Sequence, residues 1–289
     1  MTKRMLLFPA LAIILLALLA GCAAPQPAQQ PTPAATHPAA KTPRTATPES
    51  IGIAPEDITL DDQGLVQAWQ AALVPATPFD NMHAPGPSGL PTHIQVLFNG
   101  VSDPTAREPG GPVIYIIPVD AYQSMWRDHD SSAISDLLKK IKAVDARATG
   151  PKPVRGLPVL PMEETFGVND FATQLRPVGG DDASFSKTGF RFVGRFAMVA
   201  TPVTNAGLRY IYQGFSDDGR YLVAFFFPVR TDVLPDDLEA VSTEDTDAFN
   251  SNGLGYLADK AAALDELPSA AWTPDLSKLD ALIASLAVK

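Results

Sequence analysis

The sequence has a single cysteine, Cys22, and only four histidines among its 289 residues. One cysteine excludes an internal disulfide framework and any metal site built from several thiolates. The histidines are scattered and include no pair with the H-E-x-x-H spacing of a zinc protease. Basic residues are also few, with 22 Lys and Arg against 32 Asp and Glu, giving a formal net charge of −10. Because nucleic-acid binding requires a basic surface, this balance argues against nucleic acid as the main partner.

Sequence motifs of a catalytic nucleophile are missing as well. Two serine-containing turns, at residues 86–89 and 214–219, do not have the G-x-S-x-G spacing of a nucleophile elbow. Glu163 and Glu164 are adjacent, and neighbouring residues of an extended segment point to opposite faces, so they do not form an acid/base pair by themselves. His129 lies between two aspartates and near serines, but adjacency in sequence is not triad geometry. We interpret it as an exposed polar residue at the entrance of a helix.

Metal and cofactor motifs are equally weak. A zinc site built from His83, His93 and a carboxylate is conceivable, but a polar position on a half-exposed strand is the simpler interpretation of His93. The acidic residues that could suggest calcium are Asp236, Asp237, Glu239, Glu244, Asp245 and Asp247. They lack the spaced oxygen ligands and central glycine of an EF-hand loop. No phosphate-binding or dinucleotide-binding glycine fingerprint is present. We therefore expect neither a metal nor a cofactor.

The N-terminus, by contrast, carries a clear signal. Lys3 and Arg4 precede an apolar run at residues 6–20, which is shorter than the roughly 20 residues of a membrane-spanning helix and fits an export signal. The run ends in Leu19-Ala20-Gly21-Cys22, which resembles the lipobox of bacterial lipoproteins. The resemblance implies cleavage before Cys22 and attachment of acyl chains such as palmitate to it. More than one chain on the new N-terminus would hold the protein stably at a membrane.

The composition predicts three segments. Residues 1–22 are the signal, and residues 23–50 are a tether that holds seven of the 28 prolines and almost no large apolar side chain. Such a segment cannot bury enough surface to offset its chain entropy, so we expect it to be disordered, with His37 inert within it. Aliphatic periodicity begins at Ile51, and residues 51–289 are expected to form a single extracytoplasmic domain.

The pattern within that domain predicts an α+β fold with a mostly antiparallel sheet and a helical C-terminal part. Strands are predicted at residues 67–74, 93–98, 113–117, 190–198, 208–215 and 220–229. The last two flank Ser216-Asp217-Asp218-Gly219, a strong hairpin turn. The main internal helix is predicted at residues 130–148, with further helices after Thr243 and Thr273. Strands therefore cluster before helices, without a regular βαβ alternation.

Two stretches in this domain, residues 189–195 and 207–215, resemble uncharacterised bacterial envelope lipoproteins. That resemblance implies location and architecture only, because it carries no activity and no catalytic residues. The aromatic residues of the hairpin could form a stacking platform for sugars or lipids, but on paired strands they more often belong to the core. They are Phe225, Phe226, Phe227, Tyr210, Tyr212 and Tyr221.

The arginines of the central region are the one uneven feature of the charge distribution. Residues 150–230 carry nine basic and seven acidic side chains, whereas residues 231–289 carry three and 12. Arg191 and Arg195 are expected on one strand face, and Arg209 and Arg220 flank the hairpin. They could bind an anionic ligand or partner. The favoured alternative is that they pair with the acidic C-terminal helices of the same molecule.

Together these features predict a non-enzymatic protein, lipid-anchored at the outer face of the cytoplasmic membrane or at another envelope membrane. Its domain would bind an anionic ligand or an envelope protein, or have a role in assembly. The alternative is an extracytoplasmic hydrolase whose residues converge only in the folded chain. A cleft joining His93 or His129 to carboxylates and a hydroxyl would favour the hydrolase, and a filled core without a polar pocket would favour the binding or structural role.

Overall fold

The computed structural model describes residues 51–82, 86–144, 157–178, 185 and 188–289. The predicted signal, the predicted tether with Cys22 and His37, and His83 lie outside these residues. None of the helices in the described part is long and apolar enough to cross a membrane.

Most of the strands lie within residues 58–118 and 168–231, two helices lie between these stretches, and the chain is mainly helical after residue 240. The strands are β1 (Ile58–Thr59), β2 (Trp69–Val74), β3 (Thr77–Asp80), β4 (Ser88–Leu90), β5 (His93–Phe98), β6 (Val113–Pro118), β7 (Val168–Ala172), β8 (Arg176–Val178), β9 (Thr188–Ala197), β10 (Arg209–Phe215), β11 (Tyr221–Pro228), β12 (Arg230–Thr231), β13 (Trp272–Thr273) and β14 (Ala287–Val288). The helices are α1 (Val119–Arg127), α2 (Ala133–Lys142), α3 (Thr243–Ser251), α4 (Gly253–Asp265) and α5 (Leu276–Ser285).

One large antiparallel sheet organises the molecule, in the order β2-β5-β6-β11-β10-β9-β7, with β8 also paired to β9. Its middle strands are buried along their length because both faces are covered; Val113 to Ile117 of β6 are all 3% exposed or less. This agrees with the continuous apolar run that predicted such a strand. The predicted α+β class with a mostly antiparallel sheet and C-terminal helices is confirmed.

The two faces of the sheet are covered by helices from different parts of the chain. Ile94, Val96 and Phe98 of β5 point to one face, as their alternation predicts, and pack in a core with α4 and α5. The other face carries Leu97 of β5 and packs against α1, α2 and the segment that precedes β7. We call the first the C-terminal face and the second the α1/α2 face.

The hairpin of β10 and β11 follows the predicted pattern closely. Arg209 to Phe215 pair in register with Leu222 to Pro228, and Gly219 in the turn has a positive φ of 71°. Gly accepts this conformation without steric cost, which is why the turn could be recognised from the sequence.

The first two helices differ from the prediction. Helix α1 was not predicted, although its buried residues Val119, Tyr122 and Trp126 have helical spacing. Helix α2 begins at Ala133 rather than at Asp130, because Asp130 has a φ of 58°, which no α-helix contains. It ends at Lys142, and residues 145–148 of the predicted helix lie outside the described part.

The C-terminal helices begin one or two residues away from their predicted caps. Ser242, not Thr243, accepts the capping hydrogen bond of α3, and Asp275, not Thr273, caps α5. Leu254 has the helical spacing of the buried Leu257, Ala261 and Leu264 but is itself 66% exposed, because Asn252 starts a new helix there and turns the first residues of α4 outward.

Candidate functional site

A cleft of about 460 Å³ lies on the α1/α2 face of the sheet. Strands β5 and β6 form its floor, and its two walls are the hairpin of β3 and β4 and residues 159–167. Most of the lining is apolar. The large apolar side chains are those of Val74, Leu90, Val159, Leu160, Met162 and Phe166. Polar groups are confined mainly to the floor and to the residue 159–167 wall.

Helix α1 holds the hairpin wall in place. The indole Nε1 of Trp126 donates a hydrogen bond to the carbonyl oxygen of Gly89 at 3.4 Å. The ring of Phe79 meets Trp126 edge to face, with centroids 5.0 Å apart, and stacks on His129 at 4.6 Å. Such aromatic contacts fix the hairpin against a helix that itself packs on the sheet.

A buried glutamine fixes the opposite wall. Gln213 of β10 is fully buried; its Oε1 accepts from the Leu160 backbone N–H and its Nε2 donates to the Pro158 carbonyl, both at 3.0 Å. The side-chain amide can hold a backbone segment in this way because, like a peptide group, it offers both a donor and an acceptor. The wall is therefore attached to the sheet by polar contacts as well as by the packing of Leu160.

His93 lies in the floor and is 1% exposed. Its Nδ1 lies 2.8 Å from the carbonyl oxygen of Pro91, and its Nε2 lies 3.1 Å from Nε2 of Gln95. Because a carbonyl only accepts, Nδ1 carries the proton and Nε2 accepts from the Gln95 amide. Burial lowers the pKa of His93, and the hydrogen bond to Pro91 opposes this only in part. The ring is therefore neutral at pH 7. The prediction that His93 lies on a half-exposed strand is wrong, because all of β5 is buried.

Gln95 is left with an unused acceptor. Its amide nitrogen donates to His93, and its Oε1 has no hydrogen-bond partner among the described residues. The residue is 8% exposed and lines the cleft. A buried polar atom without a partner costs about 1–3 kcal/mol, so its presence at a cleft indicates a group that a bound molecule or water would satisfy.

Tyr115, directly opposite Gln95 on β6, connects the floor to a buried carboxylate. Its hydroxyl donates to Oε1 of Glu164 at 2.9 Å, and Arg107 donates to the same oxygen. The Glu164 side chain is fully buried, whereas that of Glu163 is 65% exposed and lies 3.4 Å from Arg107. Burial and, after it, the charge of Glu164 raise the pKa of Tyr115, so its phenol keeps its proton.

The two glutamates were expected on opposite faces of an extended segment, but this is wrong, because both carboxylates lie within hydrogen-bond distance of Nη2 of Arg107. They lie in a short 3₁₀ turn, Glu163–Thr165, rather than in an extended segment. Arg209 donates to the carbonyl oxygen of Glu164 at 2.9 Å, and burial lowers its pKa. The guanidinium groups of Arg107 and Arg209 thus fix Glu164 from its side chain and from its backbone.

The cleft brings His93, the Tyr115 hydroxyl and the Glu163 and Glu164 carboxylates to one region, which is the arrangement expected of the hydrolase alternative. The hydrogen bonds, however, do not form a catalytic relay. His93 contacts Pro91 and Gln95, while Tyr115 donates to Glu164. A nucleophile would need a base within hydrogen-bond distance, and His93 Nε2 is occupied by the Gln95 amide.

The four arginines that the sequence offered for an anion site lie apart in the fold. Arg191 and Arg195 extend from β9 toward the C-terminal face; Arg191 pairs with Asp280 of α5, and Arg195 donates to the carbonyls of Thr201 and Pro202. Arg209 starts β10 and points to the α1/α2 face, while Arg220 lies at the hairpin turn beside Asp218. Arg191 therefore pairs with a C-terminal helix, as the favoured alternative expects.

Arg209 also lines a second depression, of about 490 Å³, together with Arg230. Arg230 is 3.0 Å from Asp236 and both are largely exposed, so their charges compensate each other there.

The remaining candidates occupy ordinary positions. His129 is exposed and contacts Phe79. In the acidic clusters, Asp236 pairs with Arg230 and Asp245 lies 2.9 Å from Lys260. No group of three or more His, Cys, Asp or Glu among the described residues could hold a metal ion. The aromatic residues of the hairpin, from Tyr210 to Phe227, are all buried at 9% exposure or less, which confirms the core interpretation.

Sequence reasoning did not identify Gln95, Tyr115, Gln213 or Arg107. A signal was present for the glutamines, because each interrupts the apolar and aromatic residues in the middle of a strand. The role of such a glutamine depends on which distant segment covers the strand, and the residues of the strand itself do not determine that segment.

Comparison with family models, with curated proteins and with solved structures finds no significant match to this chain. The cleft on β5 and β6 therefore rests on its geometry alone as the candidate site.

Proposed function

We propose that this chain is an exported, lipid-anchored envelope protein that binds a small molecule in the cleft above His93, Gln95 and Tyr115. The acyl chains on Cys22 would hold it at the outer face of the cytoplasmic membrane or at another envelope membrane. The tether would hold the binding domain away from that surface. The unpartnered acceptor of Gln95 in a largely apolar cleft is the observation that carries the binding role.

Cleft size and composition support binding. Small-molecule sites are concave, about 300–1,000 Å³ in volume, mostly apolar and equipped with a few placed polar groups. The cleft has these properties, and both its walls are fixed by hydrogen bonds from Trp126 and Gln213 rather than left to collapse.

The binding role is tested by screening small molecules for an increase in melting temperature. A variant that fills the cleft, Val159→Trp, serves as the control, because Val159 is a half-buried lining residue on a wall. We expect compounds that raise the Tm of the unchanged chain and have no effect on Val159→Trp. A screen whose active compounds stabilise both proteins equally would remove the cleft as the binding site.

The anchor is tested by Cys22→Ser. Labelling with palmitate should disappear and the protein should leave the membrane fraction, because the lipobox cysteine is the only acceptor that the sequence offers. Labelling that persists in the variant would contradict the proposed anchor.

A hydrolase is the second candidate, favoured by the position of His93, Tyr115 and Glu163 around one cleft. It would require Gln95 to release Nε2 of His93 so that this atom could take a proton from a hydroxyl such as that of Ser88, which also lines the cleft. Turnover of ester, amide or glycoside substrates that His93→Gln abolishes would replace the binding role by this one.

A further inference from the structure

We propose that the cleft takes an uncharged, largely apolar molecule that presents a hydroxyl or N–H donor to Gln95 and Tyr115. This rests on the proposed binding function and specifies its ligand class. It differs from the anionic ligand that the arginines of the sequence suggested.

The floor offers acceptors to a ligand. One N–H of the Gln95 amide donates to His93, and the atom of this side chain that has no partner among the described residues is Oε1, an acceptor. The hydroxyl of Tyr115 donates its proton to Glu164 and accepts from Arg107 at 3.4 Å, so the one further bond its oxygen can make is as an acceptor, through its second lone pair. These two residues face each other directly across β5 and β6. A ligand that satisfies them must therefore bring the hydrogen.

Among the described residues, the lining of the cleft contains no cation that could pair with an anion. Glu163 is the only charged side chain among the described residues that line the cleft. The nearest guanidinium, that of Arg107, has a side chain that is 7% exposed and is engaged by Glu163 and Glu164. His93 in the floor is neutral, since burial lowers its pKa. A carboxylate or phosphate in the cleft would lose its hydration without gaining a cation.

A matched series of three fluorescent probes separates these requirements. N-phenyl-1-naphthylamine is uncharged and has one N–H donor. Its N-methyl derivative has the same rings and no donor, and 8-anilino-1-naphthalenesulfonate has the donor and adds a negative charge. Each would be titrated into the chain that starts at Ala23, without detergent, and followed by the increase in fluorescence.

We expect N-phenyl-1-naphthylamine to bind about five- to tenfold more tightly than the N-methyl derivative, as one additional hydrogen bond predicts. The sulfonate should bind more weakly than the uncharged amine. Filling the cleft with Val159→Trp should abolish the binding of all three probes.

The acceptor itself is tested by Gln95→Met, which keeps the length of the side chain and removes the amide. The affinity ratio between the amine and its N-methyl derivative should fall toward one. Each probe has the same bulk in both proteins, so the change in this ratio between the unchanged chain and the variant reports the hydrogen bond. Gln70→Met on the neighbouring strand is the control, since Gln70 is exposed and does not line the cleft. It should leave the ratio unchanged.

The outcomes separate the inference from the function on which it rests. Probes that bind in the cleft with equal affinity, or with the sulfonate tightest, would overturn the ligand class and leave the binding role intact. A ratio that Gln95→Met does not change would remove Gln95 as the acceptor, and with it the inference. Binding that survives Val159→Trp, or no binding by any probe, would count against the cleft and therefore against both.

Discussion

Asp280 joins the C-terminal helix α5 to the sheet by polar contacts. It accepts from Nε and Nη2 of Arg191 at 3.2 and 3.3 Å, and from the hydroxyl of Tyr210 at 2.8 Å. The Arg191 side chain is 8% exposed, and burial together with the charge of Asp280 raises the pKa of Tyr210. Because Arg191 is buried, its charge has lost hydration, and the ion pair with Asp280 offsets that loss.

Breaking this pair should lower stability. We expect Asp280→Asn to reduce the free energy of unfolding by about 2 kcal/mol, since it leaves the buried Arg191 charge without its hydrogen-bonded counter-ion. In a double-mutant cycle with Arg191→Gln, the two losses should not add, and the coupling should be at least about 1 kcal/mol.

Denaturant unfolding measures both changes. Asp259→Asn on the neighbouring helix α4 is the control, because Asp259 is exposed, and it should change little. Additive effects of the two substitutions would show that Arg191 does not depend on Asp280, which would restore Arg191 as a candidate for binding an external anion.

His93 should make stability depend on pH. Its pKa is lowered in the folded protein, so the unfolded chain binds the proton first as the pH falls. Stability contributed by the neutral ring is therefore complete above about pH 6.5 and decreases below it, by up to about 1.4 kcal/mol per pH unit.

Unfolding measured between pH 7.5 and 5 tests this. His93→Gln should remove this contribution and give a flatter profile than the unchanged chain. The exposed His129→Gln leaves His93 in place and should keep the slope. Parallel profiles for His93→Gln and the unchanged chain would mean that His93 can be protonated inside the fold.

Two glycines allow β9 and β10 to pack closely around Tyr212. Gly189 and Gly214 face each other across these strands, and a Cβ on either would collide with the Tyr212 ring or hydroxyl. A Cβ on Gly214 would also lie 2.6 Å from the backbone oxygen of Thr188, which cannot rotate away. Tyr212 is fully buried, so its ring has no free space into which to move.

Gly214→Ala should therefore destabilise the sheet by about 1–3 kcal/mol, the usual cost of overpacking a buried site. Gly86→Ala is the matched control, because an added Cβ there meets nothing within 4 Å. Thermal melts of the two variants compare them directly. Equal melting temperatures would show that β9 and β10 can separate enough to admit a side chain.

The elements that could be predicted from the sequence are those defined by their own residues. β5 has its predicted bounds because Ile94, Val96 and Phe98 alternate, and the hairpin was recognised because Gly219 marks the turn. The cleft could not be predicted, because it combines β5, β6 and residues 159–167, which long-range strand pairing and Gln213 bring together. Burial of His93 follows from the same assembly, and for that reason the expectation of a half-exposed strand was wrong.

At the scale of the whole molecule, the first described residues are attached to the last ones. β1 pairs with β14, where Ile58 lies opposite Val288, and the Lys289 backbone N–H donates to the carbonyl oxygen of Asp57 at 3.0 Å. The hydroxyl of Tyr221 in the main sheet donates to the carbonyl oxygen of Ile51 at 2.9 Å. The packed structure therefore includes the chain from Ile51 onward.

This attachment predicts where the chain can be shortened. A chain starting at Ile51 should melt at the same temperature as one starting at Ala23, since the proline-rich residues 23–50 offer almost no large apolar side chain for packing. A chain starting at Asp61 should lose at least about 2 kcal/mol, because it lacks the buried Ile58 and the pairing of β1 with β14. Calorimetry of the three chains measures both effects. A lower melting temperature for the chain starting at Ile51 would mean that residues 23–50 contact the domain and are more than a tether.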